Sequence, residues 1–465
     1  MRINLTTIAT ATALTLAFAV SATAQPTRTP PESSRQLQLS YADVVKKTAP
    51  AVVNIYTKRK VRNPFADDPF FRRFFGAPRG GKGGERIQTA LGSGVVVRAD
   101  GIIVTNNHVI DGADEVVVAL PDRREFEAKV LLADDRTDLA ILRVNARNLP
   151  ALRFHNSDDA EVGDIVLAIG NPFGVGQTVT SGIISALART QAGISDHQFF
   201  IQTDAAINPG NSGGALVTMG GELIGINTAI YSRSGGNIGI GFAIPANMVK
   251  LVVDTAVAGQ KTIARPWLGV DTQIVDADLA DSLGLDRPIG LAVTAVADGS
   301  PAAQAGLRDG DIIVKADGFE VNDPQSLNFR AATKGVGNTV NVTYIRKGQP
   351  QTAAVRLIKA PETTPRDTST IDGRNPLQGV TVANLSPALA DELQVGVTKG
   401  VMITELSRRS IAARLGFMPG DVIKQVNGRK ITTVASLKSA LADNSGEWEV
   451  AVDRNGRSLK LSLQM

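Results

Sequence analysis

Three side chains far apart in the sequence have the types and surroundings to build a nucleophilic site. Ser212 stands in Asn208-Pro209-Gly210-Asn211-Ser212-Gly213-Gly214, just ahead of the apolar run Ala215-Leu216-Val217. Glycines on both sides permit positive φ and the close approach of a substrate carbonyl. The hydroxyl is thereby presented at a turn, where the amides of Gly210 and Ser212 could face one point and stabilise an oxyanion. By itself the pattern is more often a solvated turn than a catalytic one. A serine hydroxyl is a weak nucleophile and needs an adjacent base that a third group holds in place. The chain has three histidines. His108, in Thr105-Asn106-Asn107-His108-Val109, follows the apolar run Ile102-Ile103-Val104 and falls at a strand end or in the turn after it. His155 and His197 lie among polar residues, and surface placement is expected for both. Asp138 opens Asp138-Leu139-Ala140-Ile141-Leu142, a carboxylate heading a buried-looking strand, whereas Asp134 and Asp135 read as solvated or turn-capping acids.

The elements that must position these groups are mostly β. Short β-branched runs separated by turn residues recur at Gly94-Val97, Ile102-Val104, Glu115-Leu120, Lys129-Leu132 and Leu139-Val144. Such spacing predicts a barrel or sandwich. A first barrel over residues 91–144 would carry His108 and Asp138, and a second over 164–244 would carry Ser212. The site would then lie in the cleft between them. Helical spacing is present in Tyr41, Val44 and Val45, ended by Pro50, and again over Pro245 to Val257, where Gly259 stops it. The remainder contains an internal repeat. At a constant offset of 110 residues, Gly269, Gly290, Gly306, Gly310, Asp311 and Gly318 recur as Gly379, Gly400, Gly416, Gly420, Asp421 and Gly428. Two copies predict tandem domains rather than a solenoid. The polar segment 359–376 reads as their linker.

The segments Thr105 to Val109, Asp138 to Leu142 and Gly210 to Leu216, in the order His, Asp, Ser, resemble the HtrA (Deg) family of trypsin-fold serine proteases, in its periplasmic DegP/DegQ branch. The resemblance implies that His108 is the general base, Asp138 its orienting carboxylate and Ser212 the nucleophile, with an oxyanion hole at the amides of Gly210 and Ser212. The implied fold is mainly β: a trypsin-like double β-barrel protease domain followed by two PDZ domains. The implied boundaries are 40–258 for the protease domain, 266–358 and 377–465 for the PDZ domains. The substrate pocket is expected along Asn211 and the strand Ile226, Asn227, Thr228 and Ile230, with Ile207 and Ile240 at the family's lining positions and Tyr231 in place of an aliphatic residue. Where trypsin-like enzymes that select Lys or Arg carry an Asp, this chain has Ala206. An apolar pocket discriminates by size, at about 1–3 kcal/mol per methylene, so loose selectivity for small aliphatic residues is expected.

The Trp267-Leu268-Gly269-Val270 loop, the Gly310-Asp311-Ile312 turn and the helix start Ser300-Pro301-Ala302-Ala303 resemble PDZ domains. In such a domain the amides of a glycine-containing loop capture a chain-terminal carboxylate while the bound chain adds as a strand to the sheet edge. Gln378 occupies the matching position in the second copy, where assembly contacts are the expected role. By resemblance the N-terminal segment builds a trimer, with Tyr41 at its interface. Residues 63–76 hold Phe65, Phe70, Phe71, Phe74 and Phe75 in a long loop that could touch lipid, fold onto its own domain or dock on another subunit, and that matches the family's regulatory loop.

Composition sets the outer bounds. At 465 residues the chain is long enough for two to four domains. The formal charge of +4 is too small to argue for nucleic acid. The absence of cysteine removes disulfides and thiolate metal sites, the Gly-rich stretch around Lys82 lacks the hydroxyl residue of a phosphate loop, and no metal or organic cofactor is implied. Residues 1–24 read as a cleavable export signal: Arg2, an apolar stretch from Ile8 to Val20, then Ala22-Thr23-Ala24. An uncleaved anchor is the alternative, but that stretch is short of the ~20 residues a spanning helix needs. Residues 25–39 read as a mobile segment. The combined expectation is a periplasmic, ATP-independent serine endopeptidase acting on unfolded or misfolded polypeptides, homo-oligomeric and without an integral membrane span. A holdase chaperone with minor proteolysis and a regulatory signalling protease are the alternatives.

Overall fold

The computed structural model describes residues 40–61, 86–171, 176–189, 199–208, 210–230, 239–393, 395–442, 446–454 and 456–464. The export signal, the segment 25–39, the Phe-rich loop, His197 and Tyr231 lie outside the described residues. Helix α1 (Ala42–Thr48) runs into a single 3-10 turn, Ala49–Ala51, where Pro50 removes a backbone donor and ends it.

Strands β1 (Val52–Val61), β2 (Arg86–Arg98), β3 (Ile102–Thr105), β4 (Glu115–Ala119), β5 (Glu125–Asp134) and β6 (Leu139–Val144) close into a barrel in the order β1-β2-β3-β6-β5-β4. Strands β7 (Ile165–Gly170), β8 (Thr178–Arg189), β9 (Phe200–Thr203), β10 (Ala215–Thr218), β11 (Leu223–Ile230) and β12 (Gly241–Pro245) close a second, in the order β10-β11-β12-β9-β8-β7. Closure leaves no unpaired edge. The first barrel starts earlier than the spacing of apolar runs predicts. Strand β1 pairs with β2 from Val52↔Val95 to Val61↔Arg86, and the run Lys58-Arg59-Lys60 conceals its outer half in the sequence.

Alternation along β7 shows how the two barrels join. Val166 and Ala168 face a cluster inside the second barrel with Ile184, Ile201 and Leu216. Leu167 and Ile169 face the opposite way, into a cluster shared with Val53, Ile103 and Ile141 of the first barrel. The period-2 geometry of a strand thus serves two cores at once. Helix α2 (Asn107–Ile110) is one turn after β3, and α3 (Ala246–Val257) follows β12. α3 buries Ala246, Val249, Val252, Val253 and Ala256, a single stripe at helical spacing.

The two C-terminal modules repeat one architecture. Strands Val270–Ile274, Leu291–Val296, Ile312–Ala316, Thr339–Arg346 and Gln349–Arg356 form the first sheet, with helix Pro324–Lys334 beside it. Strands Val380–Asn384, Val401–Leu406, Val422–Val426, Glu447–Arg454 and Arg457–Gln464, with helix Val434–Leu441, form the second. The repeated Gly-Asp turn has a physical reason. Asp311 is buried, accepts from the Arg308 N–H, and takes a two-pronged bond from Arg346 at 2.7 Å on each oxygen. Asp421 does the same with Met418 N–H and Arg454, at 2.6 and 2.8 Å. The Asp311 carboxylate raises the Arg346 pKa, and Asp421 raises that of Arg454.

The linker expected over 359–376 is shorter than its composition suggests. Ser369–Thr370 is an edge strand of the second sheet, pairing with Val382 and Thr381, and Ile371 lies in that module's core. Its Thr- and Asp-rich sequence hides the strand because only the backbone and Ile371 contribute.

Candidate active site

The loop that carries Ser212 turns tightly between β9 and β10. Asn211 N–H donates to Asn208 O at 2.9 Å and Gly214 N–H to Asn211 O at 2.8 Å. The loop is sewn to β11 by Gly213 N–H to Asn227 O, 2.8 Å, and Asn227 N–H to Gly214 O, 2.9 Å. Gly213 has φ +83, and a Cβ there would fall 2.0 Å from Ser93 O and 2.5 Å from Thr105 Oγ1. Only glycine fits. Among the described residues no hydrogen bond uses the amides of Gly210 or Ser212.

His108 sits in α2, directly after β3, as the apolar run before it predicts. Asp138 immediately precedes β6 with φ +54, a left-handed conformation that costs energy for a residue with a side chain. Surrounding bonds over-determine it. Its carbonyl accepts from Asn107 N–H at 3.0 Å and from the Asn106 amide at 2.9 Å. Its carboxylate accepts from His108 N–H at 3.0 Å and lies 2.8 and 2.9 Å from His108 Nδ1. A carboxylate on Nδ1 holds the proton there and leaves Nε2 as the acceptor. Thr228 Oγ1 also donates to this carboxylate, at 2.6 Å, and the Ser212 hydroxyl donates to Thr228 O at 3.0 Å. Thr228 therefore touches both neighbours through different groups: its carbonyl accepts from Ser212, and its hydroxyl donates to the Asp138 carboxylate that pairs with His108.

Of the residues expected to line a substrate pocket, Thr228 is the one that touches Ser212. Several others turn inward, and the pocket assignment changes accordingly. Ile207 is buried in the second barrel and would touch a Cβ placed at Gly241. Asn211 is buried with its side chain against Gly170. Ile226 belongs to the shared core, and the buried Asn227 donates its amide to Ala215 O at 3.0 Å. All four of these side chains are buried. Ile240 is half-buried against the core. Ile230 ends β11, and its side chain is outside the described residues. Sequence reasoning placed Thr228 in the pocket and missed its bond to Asp138. A hydroxyl residue sixteen positions after Ser212 carries no local signal.

His155 is not a free surface side chain: it pairs with Glu222 at 3.0 Å. Asp134 caps its own turn, accepting from Thr137 N–H and Oγ1, and also pairs with Arg265 at 3.1 Å.

Away from Ser212, a cavity of about 570 Å³ opens beside the first C-terminal module. The four loop residues Trp267, Leu268, Gly269 and Val270 all line it, opposite Leu327 and Phe329 of helix Pro324–Lys334. Gly269 has φ +78, and a Cβ there would meet Ser300 Cβ at 2.2 Å. A groove between a sheet edge and a helix, closed at a glycine loop, has the form that takes an added peptide strand. Among the described residues no cluster of His, Asp and Glu could hold a metal ion, and no helix is long and apolar enough to cross a membrane.

Comparisons with known proteins agree with this geometry. Residues 92–226 match the trypsin-like peptidase domain family and residues 266–357 the PDZ domain family. The chain is 38% identical over 491 residues to the periplasmic serine endoprotease DegP of Salmonella typhimurium, covering 99% of both chains. It is 39% identical over 433 residues to a probable periplasmic serine endoprotease, DegP-like, of Chlamydia pneumoniae, covering 89% of this chain and 87% of that one. A solved structure of the HtrA-type protease AlgW with a decapeptide aligns over 70% of this chain and 99% of that chain, with 46% identity and a TM-score of 0.52.

Proposed function

The chain belongs to the HtrA/DegP family of serine endoproteases, and from that premise we propose that Ser212, His108 and Asp138 are its catalytic residues. Protein hydrolysis then proceeds by acyl transfer. The Ser212 proton turns from Thr228 O to Nε2 of His108 as Oγ attacks the scissile carbonyl. Asp138 holds the tautomer and stabilises the imidazolium. The amides of Gly210 and Ser212 receive the oxyanion. His108 returns the proton to the leaving amine, and water repeats the sequence on the acyl-enzyme. The acyl transfer itself consumes no nucleotide, and turnover without ATP is the expected behaviour.

The observation that carries this reading is the pairing of His108 Nδ1 with the Asp138 carboxylate, beside a Thr228 whose hydroxyl donates to that carboxylate and whose carbonyl accepts from Ser212. We take residues 40–258 as the protease unit and the two repeats as PDZ domains, the first delivering polypeptide ends to the cleft through its groove. Two relatives are named periplasmic, which supports an exported enzyme acting on misfolded proteins, assembled as a trimer or multiples of one. Small aliphatic residues are the expected cleavage sites, given Ala206 where a basic-selective pocket would need an acid.

Casein degradation without nucleotide, compared between the wild-type chain and Ser212→Ala, tests the assignment. Loss of cleavage in the variant supports it, and equal cleavage by both discards Ser212 as nucleophile. Aggregation suppression by the same variant separates a protease with holdase capacity from one without it.

A further inference from the structure

Ser93 lies in Gly92-Ser93-Gly94 on β2 of the first barrel, while the nucleophile loop belongs to the second. It is fully buried, yet all of its polar groups are engaged, and two of them engage that loop. The Ser93 hydroxyl donates to Gly210 O at 2.7 Å and accepts from Asn171 N–H at 2.9 Å. Its backbone N–H donates to Ser212 O at 2.9 Å, and its carbonyl accepts from Thr105 Oγ1 at 2.7 Å. The same carbonyl is what a Cβ at Gly213 would strike.

We infer that Ser93 is a positioning residue for the oxyanion hole, acting through the carbonyls of Gly210 and Ser212. The inference rests on the assignment of Ser212 as nucleophile. The logic is geometric. Gly210 has φ +98, in a region open to glycine, so its flanking peptide planes have little intrinsic preference. A hydroxyl on its carbonyl fixes the plane that leads to Asn211, and a backbone donor on Ser212 O fixes the plane that leaves the nucleophile. Between these two anchors lies the peptide that carries the Ser212 amide, and the Gly210 amide belongs to the peptide just before the first anchor. Preorganised donors stabilise developing charge because they need no reorientation during reaction. In this protein the anchors come from the neighbouring barrel, so the relative placement of the barrels sets the aim of the donors.

The test uses the full chain with Ser93→Ala and, as a control for the loss of a buried hydroxyl, Ser157→Ala. Ser157 is buried in the protease domain and accepts from Asn247 N–H at 3.2 Å, outside the nucleophile loop. Hydrolysis of a chromogenic peptide gives kcat and KM, a fluorophosphonate reports the labelling rate of Ser212, and melting temperature reports stability. Ser93→Ala is expected to lower kcat and labelling together by about 10- to 100-fold, below the ~10²–10³ for deleting an oxyanion donor outright, with KM within about two-fold. Ser157→Ala should leave kcat unchanged. If Ser93→Ala gives no folded chain, Ser93→Cys, close in volume and a weak donor, is read by the same criteria. Wild-type kcat and labelling in the Ser93 variant, or a loss no larger than that of Ser157→Ala, overturns the inference. Ser212→Ala in the same assays keeps the two readings apart: turnover surviving there refutes the nucleophile itself.

Discussion

Asp138 concentrates the local strain of the site. Its left-handed backbone places one carboxylate on three donors: His108 N–H, His108 Nδ1 and Thr228 Oγ1. Asp138→Asn keeps the volume but offers Nδ1 an amide, which favours the wrong tautomer. A fall in kcat of about 10⁴ is expected at neutral pH, measured with a chromogenic peptide; a loss under tenfold would contradict the role. Thr228→Val removes one of the three donors and leaves Thr228 O in place for Ser212. The expected cost is about tenfold in kcat, one net hydrogen bond to a charged group, with KM little changed. These contacts were only partly legible beforehand. The three side chains proposed as catalytic stand out because each follows or heads an apolar run. Thr228 and Ser93 do not, since their contribution depends on strand register and on which barrel lies opposite.

Among the elements, β1 and the edge strand Ser369–Thr370 escaped the sequence reading for the same reason: polar residues sit on backbone that pairs well. Helix α3 was legible from its spacing: its buried stripe includes Val249, Val252 and Val253, and the half-buried Met248 and Leu251 both pack on the core and line the cavity beside the first PDZ module. The repeated Arg–Asp fork makes a prediction at this scale. Arg454→Ala strands a fully buried Asp421, so the second module should melt several degrees lower. Arg454→Lys should recover only part, because an ammonium cannot reproduce the two-pronged contact. Full recovery by lysine would show that charge alone matters. Upstream of the same module, burial works to raise the Glu362 pKa, but hydrogen bonds from Ser386 and Arg366 outweigh it and the net shift is downward. A lowered folded pKa means that the contact stabilises above the unfolded carboxylate range and is lost as pH falls through the folded value. Melting curves between pH 7 and 3 should show that loss at the acid end in the wild-type chain, and its absence in Glu362→Gln.

Across the whole protease and PDZ unit, cationic side chains join the modules. Arg330 of the first PDZ module reaches Asp158 of the protease domain and sits 3.7 Å from the Phe319 ring centroid, while Phe329 stacks on Phe199 at 4.1 Å. Arg136, two residues before Asp138, donates to both the carbonyl and the carboxylate of Asp391 in the second module, at 3.0 Å each. Arg136→Ala removes both bonds and should loosen the second module from the protease domain while the Arg330 contact holds the first. Hydrogen exchange should then quicken around Pro387–Leu393 and in the turn after β5 but not near Phe329. Unchanged exchange at both would refute the contact. The order of these modules was readable from the 110-residue repeat; their mutual contacts were not, because single ion pairs between distant segments leave no periodic trace.

The central claim is that one serine, held between two barrels, carries the chemistry. Fluorophosphonate labelling of the full chain followed by peptide mass spectrometry tests it most directly. A single adduct on Ser212, slowed in His108→Ala and absent in Ser212→Ala, is the predicted result. An adduct on a different serine, or labelling that survives in Ser212→Ala, would contradict the account.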